Sequence, residues 1–151
     1  MDALEAMQRE INQLKRQLEM FQSGNYATCQ FVPLTAALTS TSWDGDGYST
    51  TGKTLIDLSA VFGVPAGVKA ILARIAIRDS DGADGDYTFI LSPEASGGVG
   101  PAQINCIPVY DRYNRASFVV PCDANGDVYY QVAASGAGTM DVILQIWGYW
   151  I

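Results

Sequence analysis

Apolar side chains recur at alternating gaps of three and four positions in the first 21 residues, which is the spacing of a heptad repeat. The six residues of this seam are Leu4, Met7, Ile11, Leu14, Leu18 and Phe21. They occupy heptad positions a and d in turn. Glu10 at position g faces Lys15 at the next position e of a parallel neighbour. The seam therefore predicts a short α-helical coiled coil over residues 1–23.

The alternative is an amphipathic helix that lies on its own domain. The strict a and d spacing disfavours it, because a helix that covers a globular core has a wider apolar face. Three heptads are short, and an isolated helix of this length is marginal in water. We therefore expect the coil to depend on the rest of the chain for part of its stability. The seam itself does not choose between a dimer and a trimer.

After Ser23-Gly24-Asn25, which suits the end of a helix, the apolar residues alternate with a period of two. Eight segments have the alternation and residue types of strands. They are Cys29 to Pro33, Thr54 to Leu58, Val68 to Arg78, Tyr87 to Leu91, Ile104 to Tyr110, Ala116 to Val120, Val128 to Ala134 and Met140 to Trp150. Turns rich in Gly, Asp and Asn separate them, and no second helix is predicted. This pattern predicts an all-β fold, a jelly-roll-like β-sandwich head over residues 24–151.

The last strand is apolar on both of its faces. One parity carries Met140, Val142, Leu144, Ile146 and Trp150, and the other carries Ile143, Trp147, Tyr149 and Ile151. A strand with one solvent-exposed face would instead alternate apolar and polar residues. We expect this strand to lie between the core of its own domain and a neighbouring copy, with Trp147 and Trp150 at the interface. A strand that is central in a monomer would give the same pattern.

Composition excludes several classes of partner. The net charge is −7, and binding to nucleic acid needs clustered Lys and Arg, so we expect no nucleic-acid partner. No apolar run reaches the ~18 residues that span a bilayer, so we expect no membrane insertion. The three cysteines form no close pair and are typical of small core residues in a protein made in a reducing cytoplasm.

The chemistry of common enzymes is missing from the sequence. The chain has no His, which removes the commonest general base and every Ser-His or Cys-His nucleophile pair. No phosphate-binding loop, dinucleotide fingerprint or nucleophile elbow is present. We therefore expect a protein that is not an enzyme. Pairs of carboxylates of the glycosidase kind stay open as an alternative, because the fold sets their spacing.

One loop concentrates negative charge and is the candidate metal site. Its four carboxylates are Asp79, Asp81, Asp84 and Asp86, with two glycines between them. Such crowding of like charge is unfavourable unless water or a hard cation relieves it, and Ca²⁺ is the cation that carboxylate oxygens suit. The alternative is an ordinary hairpin turn, which Gly and Asp favour in any case. We expect no cofactor other than this Ca²⁺ candidate.

Two aromatic loops are the candidate ligand-binding sites. Their residues are Trp43, Asp44, Asp46, Tyr48, Tyr110, Asp111, Arg112, Tyr113 and Arg115. Tyr and Trp rings stack on sugar faces while Asp and Asn side chains hold hydroxyl groups, so the loops suit a carbohydrate. Aromatic residues buried in a core or at a subunit interface are the commoner case and stay the alternative.

The architecture resembles the trimeric fibre and knob proteins of bacteriophages. The likeness is carried by the heptads of residues 4–21, by Leu55-Ile56-Asp57-Leu58 before Val64-Pro65-Ala66-Gly67-Val68-Lys69-Ala70, and by the closing Leu144-Gln145-Ile146-Trp147-Gly148-Tyr149-Trp150. The resemblance implies a homotrimer on the virion, which attaches to a host surface, such as a glycan, or decorates the particle beside other virion proteins. A self-assembling lectin-like module is the alternative, and a polysaccharide-active enzyme is the third.

Overall fold

The structure, a computed structural model, describes residues 3–22, 29–40, 42–43, 45, 52–81, 87–109 and 111–151. Two helices and eight strands lie within these ranges. The helices are α1 (Ala3–Gln22) and α2 (Leu58–Phe62). The strands are β1 (Phe31–Leu38), β2 (Thr54–Ile56), β3 (Ala70–Asp79), β4 (Thr88–Ser92), β5 (Ala102–Asn105), β6 (Asn114–Pro121), β7 (Val128–Ala133) and β8 (Met140–Trp150).

The strands form two antiparallel sheets of four strands each. Sheet 1 has the order β1-β8-β3-β6, and sheet 2 has the order β2-β7-β4-β5. β3 and β8 pair over almost their whole lengths, from Ala70 opposite Trp150 to Asp79 opposite Met140. The prediction of an all-β sandwich is confirmed at this level.

The core lies between the two sheets and follows from the alternation in the strands. Ile71, Ile75 and Ile77 project from β3 and are fully buried, and Phe89 and Leu91 meet them from β4. Burial of an aliphatic or aromatic side chain of this size contributes about 1.5–3 kcal/mol relative to its exposure. These three isoleucines share one parity of the predicted strand Val68 to Arg78, so the period of two accounts for their common face.

The predicted strand from Thr54 to Leu58 is interrupted by α2, and the prediction that the head has no helix was wrong. Asp57 ends the strand because its carboxylate accepts a hydrogen bond from the Ala60 N–H at 2.9 Å, which caps the helix. Gly63 closes the helix in the left-handed conformation at φ 72°. Five residues are too few for a helical period to be visible in the sequence.

A β-bulge at Trp147 changes which face the end of β8 presents. Leu72 pairs with Gly148, whereas Ala73 pairs with Ile146, so Trp147 is the extra residue. Beyond the bulge, Tyr149 packs toward the core and Trp150 lies on the outer face of sheet 1. The bulge thereby breaks the alternation that groups Trp150 with Met140, Val142, Leu144 and Ile146 in the sequence.

Candidate functional site

One end of the outer face of sheet 1 carries large apolar side chains, near the Phe31 end of β1 and the Trp150 end of β8. We call this set the apolar half of sheet 1. It consists of Phe31, Leu72, Val119, Trp147 and Trp150. The outer face of sheet 2 is mixed, because polar residues such as Gln103 and Gln131 lie beside Ile90, and Leu55 is exposed there as well.

The apolar half is an aromatic surface that the chain itself leaves open. Phe31 is 38% exposed, Trp147 is 36% exposed and Val119 is 53% exposed. The rings of Phe31 and Trp150 contact each other with centroids 4.5 Å apart. The Phe31 ring lies directly over Gly148, where a Cβ atom would meet it at 2.5 Å. Glycine at this bulge therefore lets the aromatic side chains pack flat against the sheet.

The seam of α1 is a second uncovered apolar surface. Among the side chains that the structure describes, Met7 is 56% exposed, Ile11 is 41% exposed and Leu14 is 63% exposed. The other seam side chains, those of Leu4, Leu18 and Phe21, lie outside the described set. The three described seam residues are thus not covered by the β head. This exposure does not support the alternative of a helix lying on its own domain.

Neither a family model nor a curated protein matches this sequence. Within the described part of the chain, none of the helices combines the length and apolarity that crossing a membrane requires.

Two of the predicted ligand residues, Asp111 and Tyr113, contact Arg78, which is an outward residue of β3. Arg78 pairs with Asp111 at 3.1 Å and donates a short hydrogen bond from Nε to Asp141. This hydrogen bond to Asp141 raises the pKa of Arg78 above its ordinary value. The ring of Tyr113 lies beneath both Arg78 and Arg115, with the two guanidinium carbons 4.8 and 5.0 Å from its centroid. Cation–π contact thereby holds Arg115 in place.

A shallow depression of about 180 Å³ opens beside this cluster on the outer face of sheet 1. We call it the arginine pocket. Its lining residues are Arg74, Ala76, Arg115, Ile143 and Gln145. The register of β3 brings them together, because Arg74 lies opposite Gln145 while Ala76 lies opposite both Arg115 and Ile143.

Sequence reasoning found Arg115 and missed Arg74 and Gln145 as members of this pocket. The signal for Arg74 was present, since alternation placed it opposite the buried isoleucines of β3. Its proximity to Arg115, which lies 41 positions later in the chain, depends on the pairing of β3 with β6. That pairing cannot be read from either segment alone.

Of the remaining predicted ligand residues, the two that the structure describes, Trp43 and Arg112, do not line this pocket. The Trp43 ring packs among core aromatics, with centroid distances of 6.1 Å to Phe62, 6.4 Å to Phe89 and 5.4 Å to Tyr130. This is the core packing that the sequence left open as the alternative. Arg112 is exposed. The other four, which are Asp44, Asp46, Tyr48 and Tyr110, lie outside the described residues.

The acidic loop contains one carboxylate with a clear structural role. Asp79 is 3% exposed and accepts hydrogen bonds from the Ser135 N–H at 2.8 Å and the Ser135 hydroxyl at 2.5 Å. The Thr139 hydroxyl at 3.2 Å and the Asp81 N–H at 3.0 Å donate to it as well. Burial acts to raise the pKa of Asp79, but these hydrogen bonds outweigh it and hold the pKa below its ordinary value.

The Ca²⁺ site stays a prediction. Asp81 is exposed, whereas Asp84 and Asp86 lie outside the described residues. Among the residues that are described, no three His, Cys, Asp or Glu side chains are grouped so that they could hold a metal ion. The hydrogen bonds to Asp79 tie β3 to the turn before β8, which is a structural use of a carboxylate.

Proposed function

We propose that this chain is a self-assembling structural or receptor-binding protein, not an enzyme, whose copies associate as a parallel homotrimer. The observation that carries the proposal is the apolar half of sheet 1, because three of its large apolar side chains, Phe31, Val119 and Trp147, are exposed together on one face. Contiguous apolar patches with aromatic residues are typical of protein interfaces. The occupant that we assign to this surface is a second copy of the same chain.

The exposed seam of α1 supports that assignment. Nine positions separate Gln22, the last residue of α1, from Phe31, the first residue of β1. An extended chain advances about 3.3–3.6 Å per residue, so the end of α1 lies within roughly 30 Å of the apolar half. Association of α1 in a parallel coiled coil would gather the same end of sheet 1 from each copy. Preference for a trimer over a dimer rests on the resemblance to fibre and knob proteins.

The strand pairing supports the jelly-roll form of the sandwich. β1 pairs with β8, β2 with β7, β3 with β6 and β4 with β5. Folding one long antiparallel ribbon over on itself gives this nested set of pairs, with the ribbon's strands shared between two sheets. We propose on this basis that the head is a jelly roll.

The proposed setting is the virion. A coiled coil that leads into a compact β head has the plan of a fibre knob, which either attaches to a host surface or decorates the particle. A lectin-like module is the second candidate, and the arginine pocket is the observation that favours it. An enzyme that uses paired carboxylates is the third candidate.

The assembly is tested by two matched substitutions of exposed valines. Val119→Asp places a carboxylate in the apolar half, whereas Val99→Asp places one in the loop between β4 and β5, where the valine is 74% exposed. Burying an unpaired charge at an interface costs several kcal/mol. We expect Val119→Asp to raise the dissociation constant of the oligomer about 100-fold or more and Val99→Asp to leave it unchanged, as measured by light scattering over a dilution series.

Circular dichroism is the control for folding, because both valines are exposed and neither substitution removes a core contact. Equal association of the two variants and the parent would show that copies do not meet at the apolar half. Loss of association in both variants would show that the effect is one of net charge.

A further inference from the structure

The arginine pocket contains two guanidinium groups that form no ion pair with any described acidic residue. Arg78 is neutralised by Asp111 and Asp141, but Arg74 and Arg115 have no carboxylate within salt-bridge distance among the residues that the structure describes. Both are exposed and lie at diagonal positions on adjacent strands, close enough for both to contact one small ligand. Two unpaired positive charges side by side are unusual in a chain whose net charge is −7.

We propose that the arginine pocket binds the carboxylate of an acidic sugar. The inference deepens the proposed function, since it rests on a head that attaches to a surface and names the ligand class for that attachment. The planar fork of a guanidinium group matches a carboxylate with two parallel hydrogen bonds, and two such groups converge here.

The rest of the lining suits a sugar ring better than a bare anion. Ala76 and Ile143 give the pocket an apolar floor, and Ile143 is 44% exposed, so its side chain is free to contact the C–H face of a ring. The carboxamide of Gln145 both donates and accepts hydrogen bonds, as ring hydroxyl groups require. A volume of about 180 Å³ limits the pocket to one sugar residue at a time.

Supporting residues hold the pocket in shape. The Tyr113 ring lies against Arg115 at 5.0 Å and against Arg78 at 4.8 Å, and Arg78 is itself held by its two carboxylate partners. The carboxylate of the ligand therefore binds Arg74 and Arg115, because Arg78 already pairs with Asp111 and Asp141. The pocket adjoins the apolar half, because Arg74 follows Leu72 at the next outward position of β3, but the two surfaces have no residue in common.

Glucuronate and glucose are matched probes for this site, because they differ only in the carboxylate. We expect the full-length chain to bind glucuronate at low ionic strength, to bind it more weakly as salt is added, and not to bind glucose, as measured by chemical-shift titration. Arg74→Gln and Arg115→Gln should each weaken binding about tenfold or more, because each removes a charge-assisted hydrogen bond.

Arg16→Gln is the control variant. It removes the same charge from an exposed position of α1 that lies opposite the seam, so it should bind glucuronate as the parent does. Equal binding of glucose and glucuronate would overturn the proposal, and so would equal weakening by Arg16→Gln. Binding of a short glutamate peptide without binding of glucuronate would overturn it in favour of an acidic protein partner.

Failure of this inference is distinguishable from failure of the assembly proposal. If Arg74→Gln lowers the mass of the oligomer instead of the affinity for glucuronate, then the arginines contact a neighbouring copy and the pocket proposal is wrong. A monomeric chain that still binds glucuronate would contradict only the assembly. An intact trimer that binds no glucuronate would contradict only the pocket.

Discussion

Asp79 shows how one buried carboxylate can hold two parts of the head together. Its hydrogen bonds from Ser135 and Thr139 join β3 to the turn that precedes β8. Because the folded pKa of Asp79 is lowered, the ionised carboxylate contributes stability above its ordinary pKa of about 3.9. That contribution is lost as the pH falls through the lowered folded pKa.

We expect Asp79→Asn to destabilise the head by about 1–3 kcal/mol at neutral pH, since an amide cannot accept all of these hydrogen bonds. Urea unfolding at a series of pH values measures both effects, and the difference between parent and variant should shrink in acid. Glu94→Gln, at an exposed position, is the control and should change little. Equal midpoints for Asp79→Asn and the parent at neutral pH would contradict this role for Asp79.

At the residue scale, the sequence predicted side chains well where alternation alone decides their orientation. The inward isoleucines of β3 follow directly from the period of two. The bulge at Trp147 was not predicted, because it depends on how β8 pairs with β3, and it moves Tyr149 and Trp150 off the faces that strict alternation gives them. Arg74 was likewise not linked to Arg115, because only strand register brings them into one pocket.

Long elements were predicted more reliably than short ones. Each of the eight strand candidates overlaps a strand, and β8 begins and ends where its alternation does, at Met140 and Trp150. The prediction of a strand from Ile104 to Tyr110 was wrong beyond Asn105, where β5 ends. The sequence predicts no helix at α2, because five residues give no visible period, and it places the cap residue Asp57 within a strand. The arginine pocket was not predicted, because strand register and not a local pattern brings its residues together.

The helix α1 and the β head should contribute separately to association. The described seam side chains are exposed and do not pack against the core of the head. Removing residues 1–22 therefore breaks no contact between these side chains and the core. We expect this deletion to leave a head with the β-sheet circular dichroism and heat resistance of the parent, and to weaken association at least tenfold, because an additional contact between copies is lost. A head that unfolds without α1 would contradict this division of roles.

At the scale of the whole molecule, two apolar surfaces are left open by one chain. The seam of α1 and the apolar half of sheet 1 are separated by only a short connection in the sequence. A single copy would expose both surfaces to water at a cost in free energy, since burial of apolar area is the main driving force for association. Assembly of several copies removes this cost, which is why we place self-association at the centre of the account.

Sedimentation equilibrium of the full-length chain at micromolar concentration tests this central claim most directly. We predict a single species of three times the chain mass of 16.2 kDa. For the Val119→Asp variant, we predict that the equilibrium shifts toward the monomer. A stable monomer of 16.2 kDa under these conditions would contradict both the interface at the apolar half and the coiled coil of α1.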